Sequence, residues 1–278
     1  MRKILAGAGL AVLLASATLG LVATPVAAVA PRASPGSSPT IVLEAGLGDG
    51  AEAWRPLRAV LPADLPVFAW SRAGYGGGMA RELIGSGRLW PSDGDGRRTG
   101  AEVAAHLHQR LADAHVPAPY VLVSHSIGAS YALSFAKAYP AEVAGLVFVD
   151  PRLPGFTRRC EAEGMRLCQI PKWLTLLMSP AERVEIRGLE ETDAALADLR
   201  AIRDIPVTIL TAGRGAPGGA MMQALWEGYA AEFARGFTHA GVQVVQGSGH
   251  YMQRDQPRAI AAAILAMARA SARPAPPS

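Results

Sequence analysis

Short apolar runs alternate with longer amphipathic ones along most of the chain, and that rhythm sets the first expectation about the fold. TIVLE at 40–44 is a continuous, partly β-branched run, as are PVFAW at 66–70, YVLVS at 120–124, GLVFVD at 145–150, PVTIL at 206–210 and VQVV at 242–245. Runs of this length bounded by small or turn-forming residues read as strands buried on both faces. Between them lie stretches with helical spacing: AEAWRPLRAVL from 51, about Thr99 to Ala114, Ile127 to Ala138, residues near 219–236, and about Pro257 to Arg269. Strand and helix in alternation predict an α/β fold, a mostly parallel central sheet with helices on both faces.

Four stretches break the rhythm. Residues 151–205 carry no strand signal. They hold an apolar KWLTLLM segment and a helix start at Ser179-Pro180-Ala181-Glu182, which has the form of a capping box with proline in the first turn. This insert is expected to be a small helical cap. At the other end, Arg2 and Lys3 precede an Ala/Leu/Val/Gly run that closes on Ala28 and Ala30, the form of an export signal over 1–30. An uncleaved anchor is the alternative, since the run is long enough to span a bilayer. PRASPGSSP at 31–39 reads as a linker and 271–278 as a disordered tail, leaving 40–270 as one domain.

Composition narrows the partners. Half of the 278 residues are hydrophobic and 18% charged, enough for one substantial core. The net charge of +4, or +2 without Arg2 and Lys3, is spread along the chain rather than gathered in a stripe, so nucleic acid is not an expected partner. Membrane contact is expected only through the signal segment or a lipid substrate. The two cysteines, Cys160 and Cys168, have no zinc-type spacing around them; in an exported chain such a pair points to a disulfide, and no metal site is expected.

The chemistry centres on SHSIG at 124–128. A strand ending at Ser124 and a helix beginning at Ile127 leave Ser126 on a tight turn that tolerates only small residues two before and two after it. Ser124 and Gly128 meet that demand. Such a turn exposes the Ser126 hydroxyl and aims the Ile127 N–H at a developing oxyanion. A base is then needed. His106 and His108, two apart on one helix, are expected to be solvated; His115 suits a helix end; His125 should point away from the turn; and His239 looks exposed. His250, in GSGHYMQRDQP after the last strand, is at the strand end where parallel sheets bind ligands. The orienting acid should follow a strand. TAGRGAPGGAMM after Leu210 contains none, whereas GLVFV ends directly in Asp150. Glu227 and Asp255 are the fallback acids. In EAGLGDG at 44–50, Gly46 and Gly48 let the backbone approach a ligand, and the Leu47 N–H is the candidate second oxyanion donor.

These pieces, LEAGLGD, SRAGYG at 71–76, SHSIG, LVFVDP and GSGHYMQRDQP, resemble the α/β-hydrolase superfamily over about 40–270, in the order serine, acid, histidine that the family uses. The chain departs from the family pattern at Glu44-Ala45, where many members have His before Gly46, at Ser71, where Asp often precedes the Arg, and in the earlier position of the acid. The resemblance implies a secreted or periplasmic serine hydrolase acting on carboxylic esters of small or medium apolar substrates, through an acyl-enzyme on Ser126 and with no cofactor. Trp173 and Leu177 of the cap are candidate substrate-binding residues. An acyltransferase of the same fold, or a catalytically silent ligand-binding relative, remains open on sequence alone.

Overall fold

The computed structural model describes residues 38–75, 89–165, 168–215 and 219–271. The export signal, nearly all of the linker and tail, and the glycines that follow Tyr75 lie outside the described residues. Six strands form one sheet: β1 (Thr40–Glu44), β2 (Val67–Ala69), β3 (Tyr120–His125), β4 (Val143–Val149), β5 (Val207–Ala212) and β6 (Ala240–Val245). Their order is β2-β1-β3-β4-β5-β6, and every pairing is parallel. The predicted α/β architecture is therefore the observed one.

Alternate residues of the central strands feed two separate cores. Val42, Leu122, Leu146, Phe148 and Ile209 pack on one face with α2 (Gly100–Asp113), α3 (Gly128–Ala138) and the far end of α7 (Gly219–Ala234). Ile41, Leu43, Val123, Val147 and Leu210 pack on the other with α1 (Arg55–Arg58), α8 (Met252–Asp255) and α9 (Pro257–Ser271). This is the period of two expected of strands covered on both sides. Edge strands behave differently: β2 has three half-buried residues, and β6 is exposed except at Val245.

Helix ends follow local chemistry. Thr99 caps α2 and exchanges hydrogen bonds with Glu102, and Ser179 does the same with Glu182 at the start of α6 (Pro180–Ala195). The helix expected from 51 is shorter than its pattern suggests. A 3₁₀ turn at Ala51–Trp54 runs into α1, which has Pro56 in its first turn and stops before Pro62. His108 is not solvated. It is buried on the face of α2 that meets Tyr139, with ring centroids 3.9 Å apart, and its Nε2 lies 3.1 Å from Glu142. His106 likewise stacks on Trp90 at 3.9 Å. Their hydrophobic neighbours come from distant segments.

The insert contains α4 (Phe156–Ala162), α5 (Lys172–Thr175) and α6, with no strand among its described residues. Cys160 and Cys168 are joined by a disulfide. Helix α6 is the inner part of this cap and packs against α2, α3 and the loops that carry Gly74 and Arg98. A Cβ on Gly188 would meet the Arg98 carbonyl oxygen at 2.0 Å, and one on Gly74 would meet the Ala181 Cβ at 2.5 Å.

Candidate active site

β1 is followed by β2 on one side and flanked by β3 on the other, so the chain changes direction across the sheet at the carboxyl ends of β1 and β3. Open parallel sheets bind ligands at such a switch point. Ser126 sits there, directly after His125 ends β3, with φ +53°. A left-handed conformation is uncommon for a non-glycine residue and is sustained by its surroundings. The Ser126 N–H donates to the Val149 carbonyl at 3.2 Å, while its own carbonyl accepts from Ala129 at 3.1 Å and Arg152 at 3.0 Å. The turn has no spare room: a Cβ on Gly128 would fall 2.7 Å from the Ala45 oxygen.

Asp150 repeats the device at the end of β4, with φ +41°. Its backbone N–H donates to the Leu210 carbonyl at 2.7 Å. Its carboxylate is buried; Oδ1 accepts the Ala212 N–H at 2.9 Å and Oδ2 lies 2.6 Å from His250 Nδ1. An ionised Asp150 thereby sets Nδ1 as the protonated nitrogen of His250 and leaves Nε2 as the acceptor. The His250 side chain is 36% exposed. Asp255 supports the same loop from below, accepting the Gly249 N–H at 2.7 Å. Glu227 is instead engaged by Gln223 along α7, at 2.7 Å, and is not part of the cavity wall.

His125 does point away from the turn, into the loop that carries His250. It is fully buried, its Nε2–H donates to the His250 carbonyl at 2.9 Å, and its Nδ1 lies 3.3 Å from the Gln253 amide. Burial, together with the charge that His250 would carry when protonated, pushes its pKa down to about 3, so the ring is neutral. Sequence reasoning assigned it no task because its partners lie more than 120 residues away.

The loop after β1 makes a turn in which Asp49 N–H donates to the Gly46 carbonyl at 3.3 Å and Gly48 takes φ +78°, a value that suits glycine. A Cβ on Gly46 would meet His125 Nδ1 at 2.7 Å and Ser126 Cβ at 3.3 Å, so loop and elbow touch there. Beneath lies a buried charge network that the sequence did not announce. Arg72 pairs with Glu44 and with Glu185 of α6; Arg98 pairs with Asp93 at 2.6 Å and Glu185 at 2.9 Å; Trp70 Nε1 donates to Glu44 at 2.8 Å. Three carboxylates thus face two guanidiniums. Burial raises the Glu44 carboxyl to about 7 against the pull of Arg72.

Leu47, Ser126, Ile127, Asp150 and His250 all border one cavity of ≈ 550 Å³. Its apolar wall includes Phe156, Ile170, Ile186, Leu189, Met222 and Trp226, and the Arg152–Asp193 pair, at 2.8 Å, supplies a polar flank. Trp173 and Leu177 are not part of it. They are 65% and 77% exposed, and it is α6 that supplies the inner wall, through Ile186 and Leu189. Among the described residues no group of three His, Cys, Asp or Glu side chains could hold a metal ion.

Residues 41–263 match the Alpha/beta hydrolase family, and the chain belongs to it. Among its relatives, it is 34% identical over 118 residues to the uncharacterized protein YqjL of Bacillus subtilis (strain 168), covering 42% of this chain and 41% of that one. It is 32% identical over 125 residues to the putative carbamate hydrolase RutD of Escherichia coli O44:H18 (strain 042 / EAEC), covering 44% and 42%. The chain thus matches less than half the length of these relatives. Solved structures share the fold more widely. A thermophilic esterase from Thermogutta terrifontis superposes with a TM-score of 0.61 at 18% identity, over 86% of this chain and 92% of that one. A putative epoxide hydrolase from Pseudomonas aeruginosa gives 0.57 at 19%, over 86% and 92%.

Proposed function

We propose that the protein is a serine hydrolase that cleaves carboxylic esters of small or medium apolar substrates. The observation that carries this reading is the 2.6 Å contact between Asp150 and His250 beside a serine held at positive φ on the border of the same cavity. Ser126 Oγ attacks the ester carbonyl as His250 Nε2 takes its proton. The charge on the imidazolium is balanced by Asp150, and the tetrahedral oxyanion is held by the N–H groups of Leu47 and Ile127. The proton then passes to the departing alkoxide. Water, activated by the same nitrogen, attacks the acyl-enzyme and releases the acid. A serine at 126 supports this chemistry over one that needs a carboxylate nucleophile.

The apolar wall of Phe156, Met222 and Trp226 supports an apolar acyl or alcohol group, and the cavity volume suits a medium-sized one. Export is part of the proposal. The 1–30 segment has the form of a signal, and a disulfide suits an oxidising compartment.

The test is intact-mass measurement after exposure to a fluorophosphonate. One adduct is expected on the wild-type protein and none on Ser126→Ala, while an unmodified wild type would overturn the reading. Asp150→Asn, assayed on chromogenic esters of rising chain length, should lose about 10³–10⁴-fold in turnover with the fold intact.

A further inference from the structure

Arg72 uses every N–H it has. Its Nε and Nη2 bind the two oxygens of Glu185 at 2.7 and 3.0 Å, and its Nη1 binds Glu44. The remaining two donors go to main chain: Nη1 to the Ala45 carbonyl and Nη2 to the Gly46 carbonyl, both at 2.8 Å. A guanidinium has five N–H groups in a rigid fork, and all are engaged within 1% exposure.

The contact with Gly46 has a consequence one atom further along the chain. The Gly46 carbonyl and the Leu47 N–H belong to one planar trans peptide, so they point in opposite directions. Holding the carbonyl down toward Arg72 turns the Leu47 N–H up toward the elbow and cavity that Leu47 borders with Ser126 and Ile127. Little else fixes that plane. Among the described residues, the other hydrogen bond to the Gly46 carbonyl is the longer turn bond from the Asp49 N–H, at 3.3 Å. Gly46 itself has no Cβ to restrict rotation, and the site forbids one, since it would strike His125. A peptide rotated about this glycine would present a carbonyl oxygen where a donor is required.

We propose that Arg72 is the positioning residue of the oxyanion site, setting the Gly46–Leu47 peptide, and that Glu185 makes this setting depend on the cap. The inference rests on the serine-hydrolase reading above. Glu185 is fully buried on α6 and is shared by Arg72, Arg98 and Tyr75. The same helix contributes Ile186 and Leu189 to the cavity wall. Cap, cavity and oxyanion donor are therefore connected through one side chain.

The experiment compares an oxo-ester with its thiono-ester in Arg72→Lys and Glu185→Gln, with the active fraction of each preparation counted by fluorophosphonate titration. Sulfur accepts hydrogen bonds poorly, so a defect in oxyanion donation falls on the oxo substrate and spares the thiono one. A lysine has a single point charge and cannot span two carbonyls and two carboxylates. Arg72→Lys should lower kcat on the oxo-ester by about 100-fold, with KM within about twofold, while the thiono-ester loses less than about fivefold. Glu185→Gln keeps the volume and one oxygen acceptor, and should show the same selectivity with a loss of about tenfold on the oxo-ester. If Arg72→Lys does not fold, Glu185→Gln decides alone. Equal losses on both substrates, or a loss carried by KM, would make Arg72 a structural brace and overturn the inference. A wild type that takes no fluorophosphonate and turns over no ester would instead sink the hydrolase reading, and this inference with it.

Discussion

Ser124 shows what one residue contributes to the elbow. It is fully buried at the end of β3, paired between Glu44 and Phe148, and its hydroxyl has no hydrogen-bond partner among the described residues. A buried hydroxyl left unsatisfied costs about 1–3 kcal/mol. Ser124→Ala removes that cost and keeps the Cβ, so it should raise stability by about 1 kcal/mol, read as a higher urea midpoint with an unchanged slope. Ser124→Gly should gain less, because a glycine in a strand gives back about 0.5–1 kcal/mol of backbone entropy. At this scale the sequence was informative where the chemistry is local. Ser126 and Asp150 each follow a strand directly and His250 lies in the loop after β6, so counting from strand ends was enough to single them out as candidates. His125 and Arg72 act on main-chain atoms supplied by other segments, and no spacing in the chain encodes such contacts.

Among the elements, the cap helix α6 separates most sharply from what its sequence suggests. Its start was legible because a capping box depends on residues three apart. Its place was not, since Gly188 in mid-helix reads as a weakness. In the structure that glycine is where α6 rests against the backbone at Arg98, with 2.0 Å to the carbonyl oxygen for any added Cβ. Alanine improves intrinsic helix propensity by about 1 kcal/mol, but a rigid main-chain clash is the larger effect. Gly188→Ala should therefore destabilise by at least about 3 kcal/mol, and a variant as stable as the wild type in denaturant titration would show that α6 is free to move. The exposed turn of Trp173 and Leu177 illustrates the opposite error. Apolar composition alone placed them in the cavity, whereas the structure leaves both side chains exposed and outside its lining.

For the whole molecule, two buried groups give opposite pH dependences. His125 faces His250, Tyr251 and Asp49, and its folded pKa of about 3 lies below its ordinary 6.5. Between those values the unfolded chain binds a proton that the folded one refuses. Its stability contribution is complete above pH 6.5 and is lost toward pH 3, by up to about 1.4 kcal/mol per pH unit. Glu44, raised from 4.5 to about 7, binds a proton only when folded in that window, so its contribution falls as pH rises through it. The two slopes oppose each other between about 4.5 and 6.5, and below that range His125 acts without this counterweight. In a series of thermal melts from pH 3 to 7, His125→Gln should lose stability less steeply on the acid side than the wild type; parallel curves would show that the ring is not buried neutral. The parallel sheet has one more consequence. β1 begins at Thr40 on the edge opposite the cavity, and α9 runs back to the same edge, where the Ser271 hydroxyl donates to the Ala144 carbonyl at the start of β4. Both ends of the described chain therefore emerge on the far side of the molecule. A tether or fusion attached at either end would leave the mouth of the cavity facing outward, open to whatever the surrounding medium brings.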